Sequence, residues 1–180
     1  TPLDLTPADG AGAPVSSTIV VSGAGTNLTD LNMSTFITHT FNSDLDITLT
    51  SPAGTVVTIT TDNGSSFDNV FNGTLWDDDA DPGNPAPFAA ATAATNNVVT
   101  DKLYTNLVTA TPLVPEEALS AFYGENPNGT WTLTIDDDLS GDFGTLNSWS
   151  LQVTTCSNTP TCVPPSGLVI SSITATSAVA

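Results

Sequence analysis

Positive charge is almost missing from this chain. Its 180 residues hold one lysine (Lys102), no arginine and one histidine against 19 acids, for a formal charge of −18. Such a surface has nothing with which to neutralise phosphates, so nucleic acid and anionic membranes are excluded as partners. Cysteine is scarce as well, limited to Cys156 and Cys162. Two thiols and one distant imidazole cannot build a tetrahedral zinc site. A disulfide across CSNTPTC would instead suit an oxidising, extracellular compartment. No G-x-S-x-G elbow occurs and neither cysteine has a base nearby, so nucleophilic catalysis is not expected. His39 sits inside the strand pattern FITHTF, where a hydrogen-bonded structural role is expected. No apolar run in it is long enough to cross a bilayer, and none reads as a signal peptide. Starting at Thr1, the chain reads as a mature or excised part of a longer secreted protein.

Glutamate is the last scarcity: only Glu116, Glu117 and Glu125 among the 19 acids. Aspartate is a turn former and a short-armed calcium ligand, so its dominance points to loops and to hard cations. Adaptation to salty or cold surroundings is the plain alternative, with the acids simply solvated. Hydrophobic content of 39% still suffices for a core, and 13 glycines with 13 prolines suit a turn-rich β protein.

Period-2 patterning is the main structural signal. It predicts strands over Pro14–Ser22, Leu28–Phe41, Asp44–Thr50 and Thr55–Thr61, the last two joined by the turn Ser51-Pro52-Ala53-Gly54 into a hairpin. Two further strands carry Trp131-Leu133-Ile135 and Trp149-Leu151-Val153 on one face each. The loop between them holds four carboxylates, and the whole reads as an acidic hairpin. Asp62–Pro87 reads as loop. Phe88–Thr95 is Ala-rich but flanked by proline, and Pro115–Phe122 is the one credible helical turn. Short strands, long connections and scarce helix predict an antiparallel, all-β sandwich. Trp131 and Trp149 fall at core positions, while the pattern leaves Trp76 open.

Three acidic clusters are candidate metal sites. Asp136, Asp138, Ser140 and Asp142, the first three at alternate positions before Gly141, look like the first half of a calcium loop. Asn147 stands where an EF-hand would need glutamate, and strands flank the segment instead of helices. Asp77, Asp78, Asp79 and Asp81 form a second cluster, weakened by Pro82. Asp44 and Asp46 share one strand face, unfavourable for like charges unless solvated, hydrogen-bonded or metal-bound. Hard oxygens without histidine or cysteine select calcium as the cofactor. Paired acids also occur in glycosidases, yet all of these lie in calcium-like settings.

Three motifs recur in one order: Asp44-Leu45-Asp46-Ile47-x-Leu49-x-Ser51-Pro52-x-Gly54-Thr55, Gly129-x-Trp131-x-Leu133-x-Ile135-x-Asp137, and Gly144-Thr145-Leu146-x-x-Trp149-x-Leu151. His39-Thr40-Phe41, Asp77-Asp78 and Leu119-Ser120-x-Phe122-x-Gly124 fall between them. This series resembles the P domain (P/Homo B domain) of kexin- and furin-like proprotein convertases and of bacterial secreted peptidases. The resemblance covers residues 13–155. It implies a jelly-roll β-sandwich, non-catalytic, that follows a peptidase domain in the same secreted polypeptide and stabilises it. The upstream catalytic domain, subtilisin-like or another hydrolase, is then the expected partner, and the domain itself is expected to be a monomer. Residues 1–12 read as a linker. Residues 156–180 read as a second linker and the start of a fibronectin type III-like module. The competing reading is a jelly-roll module that binds carbohydrate or an extracellular partner.

Overall fold

A computed structural model describes residues 2–5, 13–80 and 96–156. Eight strands follow in order: β1 (Leu3–Asp4), β2 (Val15–Val21), β3 (Asn27–His39), β4 (Leu45–Thr50), β5 (Val56–Thr60), β6 (Asn72–Trp76), β7 (Gly129–Asp137) and β8 (Gly144–Cys156). Among the described residues, two short 3-10 turns interrupt them, Asn42–Asp44 and Leu119–Phe122. The strands form two four-stranded antiparallel sheets ordered β1-β8-β3-β6 and β2-β7-β4-β5. The pairings are nested: first strand with last, second with seventh, third with sixth, fourth with fifth.

Alternation decides which residues lie between the sheets. Leu45, Ile47 and Leu49 of β4, with Trp131, Leu133 and Ile135 of β7, are fully buried from one sheet. Leu31, Met33 and Ile37 of β3, with Trp76 of β6, come from the other. Phe122, from the 3-10 turn, meets Trp131 edge-on with ring centroids 5.1 Å apart. Phe71 packs on Trp76 at 5.4 Å and on Tyr104 at 6.0 Å. Each such buried side chain contributes about 1.5–3 kcal/mol of transfer free energy. The buried indoles keep their polar edges satisfied: Trp131 Nε1 donates to Pro127 O and Trp76 Nε1 to Thr35 Oγ1. This settles Trp76 as core.

Two motif glycines hold places that no side chain could take. Gly129 has φ of +137°, and a Cβ there would lie 2.8 Å from Pro52 Cβ, so the second motif closes against the turn of the first. Gly144 pairs with His39, and a Cβ there would fall 2.2 Å from the imidazole ring. The Ser51–Gly54 turn forms as predicted, with Gly54 N donating to Ser51 O.

The structure corrects several expectations. The acidic segment is no hairpin: β7 and β8 belong to different sheets, and residues 138–143 cross between them. Both strands show alternation because both face one core, which periodicity cannot distinguish from pairing. β6 lies inside the stretch read as loop; it is short, contains Gly73 and pairs with β3 across a bulge. Pro115–Glu117 does not start a helix. Glu116 N and Glu117 N donate to Ile59 O and Thr58 O along the edge of β5, and only Leu119–Phe122 turns. Leu3–Asp4 pairs with β8 and Leu5 is buried, so strand structure begins inside the segment read as linker. The Ala-rich run, Asp81, Cys162 and the fibronectin-like tail lie outside the described residues. Among the described residues no helix is long and apolar enough to cross a membrane.

Candidate cation site

β4 and β7 bring together acids that are far apart in sequence. Their register places Asp46 opposite Asp136 and Leu45 opposite Asp137, and Asp138 N donates to Asp44 O at 3.0 Å. The predicted pair Asp44/Asp46 and the predicted loop Asp136–Asp142 are therefore one acidic patch. Asp46 and Asp136 side chains share the outer face of the sheet, and each has a buried Oδ1 without a hydrogen-bond partner. Burial, then the field of Asp62, Asp138, Asp136 and Glu116, raises the Asp46 carboxyl above its usual range. Burial, then Asp138 and Asp137, raises that of Asp136. Asp44, itself buried, is raised by burial and by Asp142 and Asp137, with His39 working against them. All three shifts mean that negative charge here lacks compensation.

Asp137 was not among the predicted ligands. Its side chain is fully buried; Oδ2 lies 2.9 Å from His39 Nε2, and Oδ1 has no partner. The other ring nitrogen, Nδ1, lies 2.9 Å from Phe41 O and 3.2 Å from Phe41 N, so both nitrogens of His39 have partners. The expected hydrogen-bonded role of His39 is what the geometry shows. A signal for Asp137 was legible: it continues the inward series Trp131-Leu133-Ile135, where an acid requires a partner. Asp62 and Glu116, which also bear on Asp46, come from distant loops and gave none.

The other predicted ligands have separate employment. Asp142 Oδ1 accepts from Thr40 Oγ1 at 3.0 Å, while Asp138 and Ser140 stand exposed. Asp78 accepts from Leu119 N and Ser120 N, each at 2.8 Å, and so opens the 3-10 turn. Asp77 Oδ1 accepts from Asp79 N, and Asn32, with its amide oriented by its partners, donates to the same oxygen at 3.3 Å. Among the described residues no three Asp, Glu, His or Cys side chains converge into a metal-holding group. The Asp46–Asp136 pair remains the place where two hard oxygens lie buried without partners.

This chain matches the model of the proprotein convertase P-domain over residues 28–81 and 91–153. It is 31% identical over 141 residues to a transglutaminase-activating metalloprotease of Streptomyces mobaraensis, covering 78% of this chain and 13% of that protein. Among solved structures it is similar to a serine protease of Aeromonas sobria, at 20% identity and a TM-score of 0.45, over 87% of this chain and 26% of the other. The same protease in complex with the chaperone ORF2 gives 21% identity and a TM-score of 0.42, over 85% and 26%. This chain thus spans a small part of each of these relatives. It belongs to the proprotein convertase P-domain family.

Proposed function

We propose that this chain is the non-catalytic, jelly-roll P domain of a secreted peptidase, that it stabilises the catalytic domain preceding it, and that calcium bound between β4 and β7 contributes to that stability. The observation that carries the calcium reading is the Asp46–Asp136 pair, two facing carboxylates with orphaned buried oxygens. Calcium accepts six to eight oxygens, so these two, with backbone or water oxygens, can begin a shell without a third acid. When bound, the ion would offset the mutual repulsion of Asp46, Asp136 and Asp138. The nested strand pairing supports the jelly-roll path. The accessory role rests on family membership. The relatives include both a metalloprotease and a serine protease, so the role is proposed for a peptidase of either class.

The carbohydrate-binding alternative has less to use. Trp76 and Trp131 are fully buried, and half-buried Trp149 donates its Nε1 to Ser17 Oγ at 2.9 Å. The test is thermal unfolding with calcium and with chelator, on the wild type and on Asp46→Asn/Asp136→Asn. A cation at a hundred times its Kd adds about 2.7 kcal/mol, so chelation should lower the wild-type melting point and leave the variant's unchanged. A wild-type melting point indifferent to chelator removes the calcium reading. Deleting residues 13–155 from the parent polypeptide should lower the yield of soluble, active peptidase; unchanged yield removes the accessory reading.

A further inference from the structure

The open edges lie on one side of the sandwich: β2, and β8 beyond Thr145 and Leu146, the two residues that β1 covers. β1 is two residues long. The edge of β5 is taken by Glu116 and Glu117, through their backbone amides and through carboxylates that accept from Thr61 N and Thr58 N. β6 is flanked by residues 110–113, with Leu113 N donating to Leu75 O and Thr74 Oγ1 to Ala110 O. β2 pairs with β7 on one side, and no backbone group of Val15–Val21 has a partner on the other among the described residues. A seven-residue edge of Val, Ser, Thr and Ile without charge or proline is the kind that templates pairing with another strand.

Charge distribution points to the occupant. In a chain of −18, neither β2 (VSSTIVV) nor the neighbouring β8 (GTLNSWSLQVTTC) carries a charged residue. Asp4 of β1 is the acid beside β8, so a cationic partner would find little to pair with on this side, whereas a second copy meets no like charge on β2 or β8 themselves. β2 is also self-complementary. Antiparallel pairing about Thr18 sets Thr18 against Thr18, Ser17 against Ile19, and Ser16 against Val20. Val20 is 70% exposed in the single domain. Half-buried Val15 and Val21, with Trp149, Leu151 and Val153 of β8, fill the interior on this side and would gain cover.

We propose that β2 is a homodimer interface, in which two copies of this domain pair their β2 strands antiparallel about a two-fold axis at Thr18, joining two four-stranded sheets into one of eight. This replaces the expectation of a monomer. Two chains of −18 repel at long range, so pairing strengthens as salt screens them.

Sedimentation velocity on the 180-residue chain tests it, in reductant so that exposed Cys156 does not cross-link. Wild type should show a concentration-dependent dimer that grows with salt. Thr18 is exposed, so Thr18→Lys and Thr18→Glu should each fold yet be monomeric, since either places like charges opposite each other. An equimolar mixture of the two should dimerise again. Without any variant, amide exchange in β2 should slow as protein concentration rises. Wild type that is monomeric at every concentration and salt overturns the proposal. So does a dimer that neither Thr18 variant affects, β2 exchange that is independent of concentration, or growth past the dimer.

Discussion

The two long sides of this sandwich are finished in opposite ways. On the β5/β6 side, residues 97–117 lie across both sheet edges, and Glu116 and Glu117 hold β5 by backbone and carboxylate together. Phe71, Trp76, Leu113 and Val99 behind them are fully buried. On the β2/β8 side neither β2 nor β8 carries a charge, although Asp4 of β1 lies against β8; the edge of β2 is bare among the described residues, and Trp149, Leu151 and Val153 stay half-buried. The acids confirm the contrast, since they gather where β4 and β7 end and along the braced side. A strongly acidic protein thus keeps two strands on one side free of charge, the side proposed above as a contact.

The largest test of this contrast compares one aromatic from each side. Phe71→Ala should cost about 3–5 kcal/mol in urea unfolding. Trp149→Ala, although it removes a larger ring, should cost less, because half-buried area is already half-exposed before unfolding. Equal losses would mean that the β2/β8 side is as well packed as the other. Next, Glu116→Ala removes the acceptor of Thr61 N, Thr61 Oγ1 and Asn63 Nδ2. Leaving these donors unmet should cost about 1–3 kcal/mol. If bracing is what protects β5, the variant should also begin to self-associate, read by light scattering.

Asp78→Ala should cost about 1 kcal/mol, the scale of a lost helix cap, by uncovering Leu119 N and Ser120 N. Its effect should not depend on calcium, which separates a bracing acid from a ligand.

The smallest effect is the most informative in sign. In chelator at neutral pH, Asp46→Asn should stabilise by about 0.2–1 kcal/mol, since it ends a cross-strand like-charge pair. The pH dependence follows from the raised carboxyls of Asp44, Asp46 and Asp136. A folded state with raised carboxyl pKa binds more protons than the unfolded chain. Stability from these groups is therefore full below the ordinary carboxylate value of 3.8 and is lost as pH climbs through the raised range. Glu117 works in the other direction: Thr58 N lowers its carboxyl, so its contribution is lost as pH falls. Subtracting the Asp46→Asn/Asp136→Asn curve from wild type isolates Asp46 and Asp136. Wild type that gains stability relative to the variant as pH rises in chelator would contradict like-charge crowding.

Much of the fold could be read from the residues, and the limits had physical causes. Val15–Val21, Asn27–His39 and the β4–β5 hairpin emerged close to their predicted bounds because alternation and the Ser51–Gly54 turn are local signals. What alternation cannot say is which strand is the neighbour, so β7 and β8 were read as a hairpin although they face each other from separate sheets. The same gap hid the merging of Asp44/Asp46 with Asp136–Asp142, a matter of register between distant strands. That Asp78 accepts from the 3-10 turn at Leu119 was hidden because a capping carboxylate and a cation ligand share one sequence signature. Gly129 and Gly144 were visible only as motif letters; their reasons, Pro52 and His39, required coordinates.

Nested pairing also sets the order of events when the chain is made. Among the described strands the β4–β5 hairpin is the one pairing between consecutive strands, so it can form first, and β6 and β7 then supply partners for β3, β4 and β2. β3 has β6 on one side but must wait for its longer partner β8, the last of the described strands, and Asn27 finds its place opposite Cys156 across nearly the whole domain. Closing such loops is an entropic cost met before the contacts form, and folds of this kind are slow. Until Gly144–Cys156 has left the ribosome, the inner faces of both sheets remain open to water and to each other. A nascent chain truncated before β8 should therefore stay protease-sensitive throughout, and become resistant in one step once that strand is added.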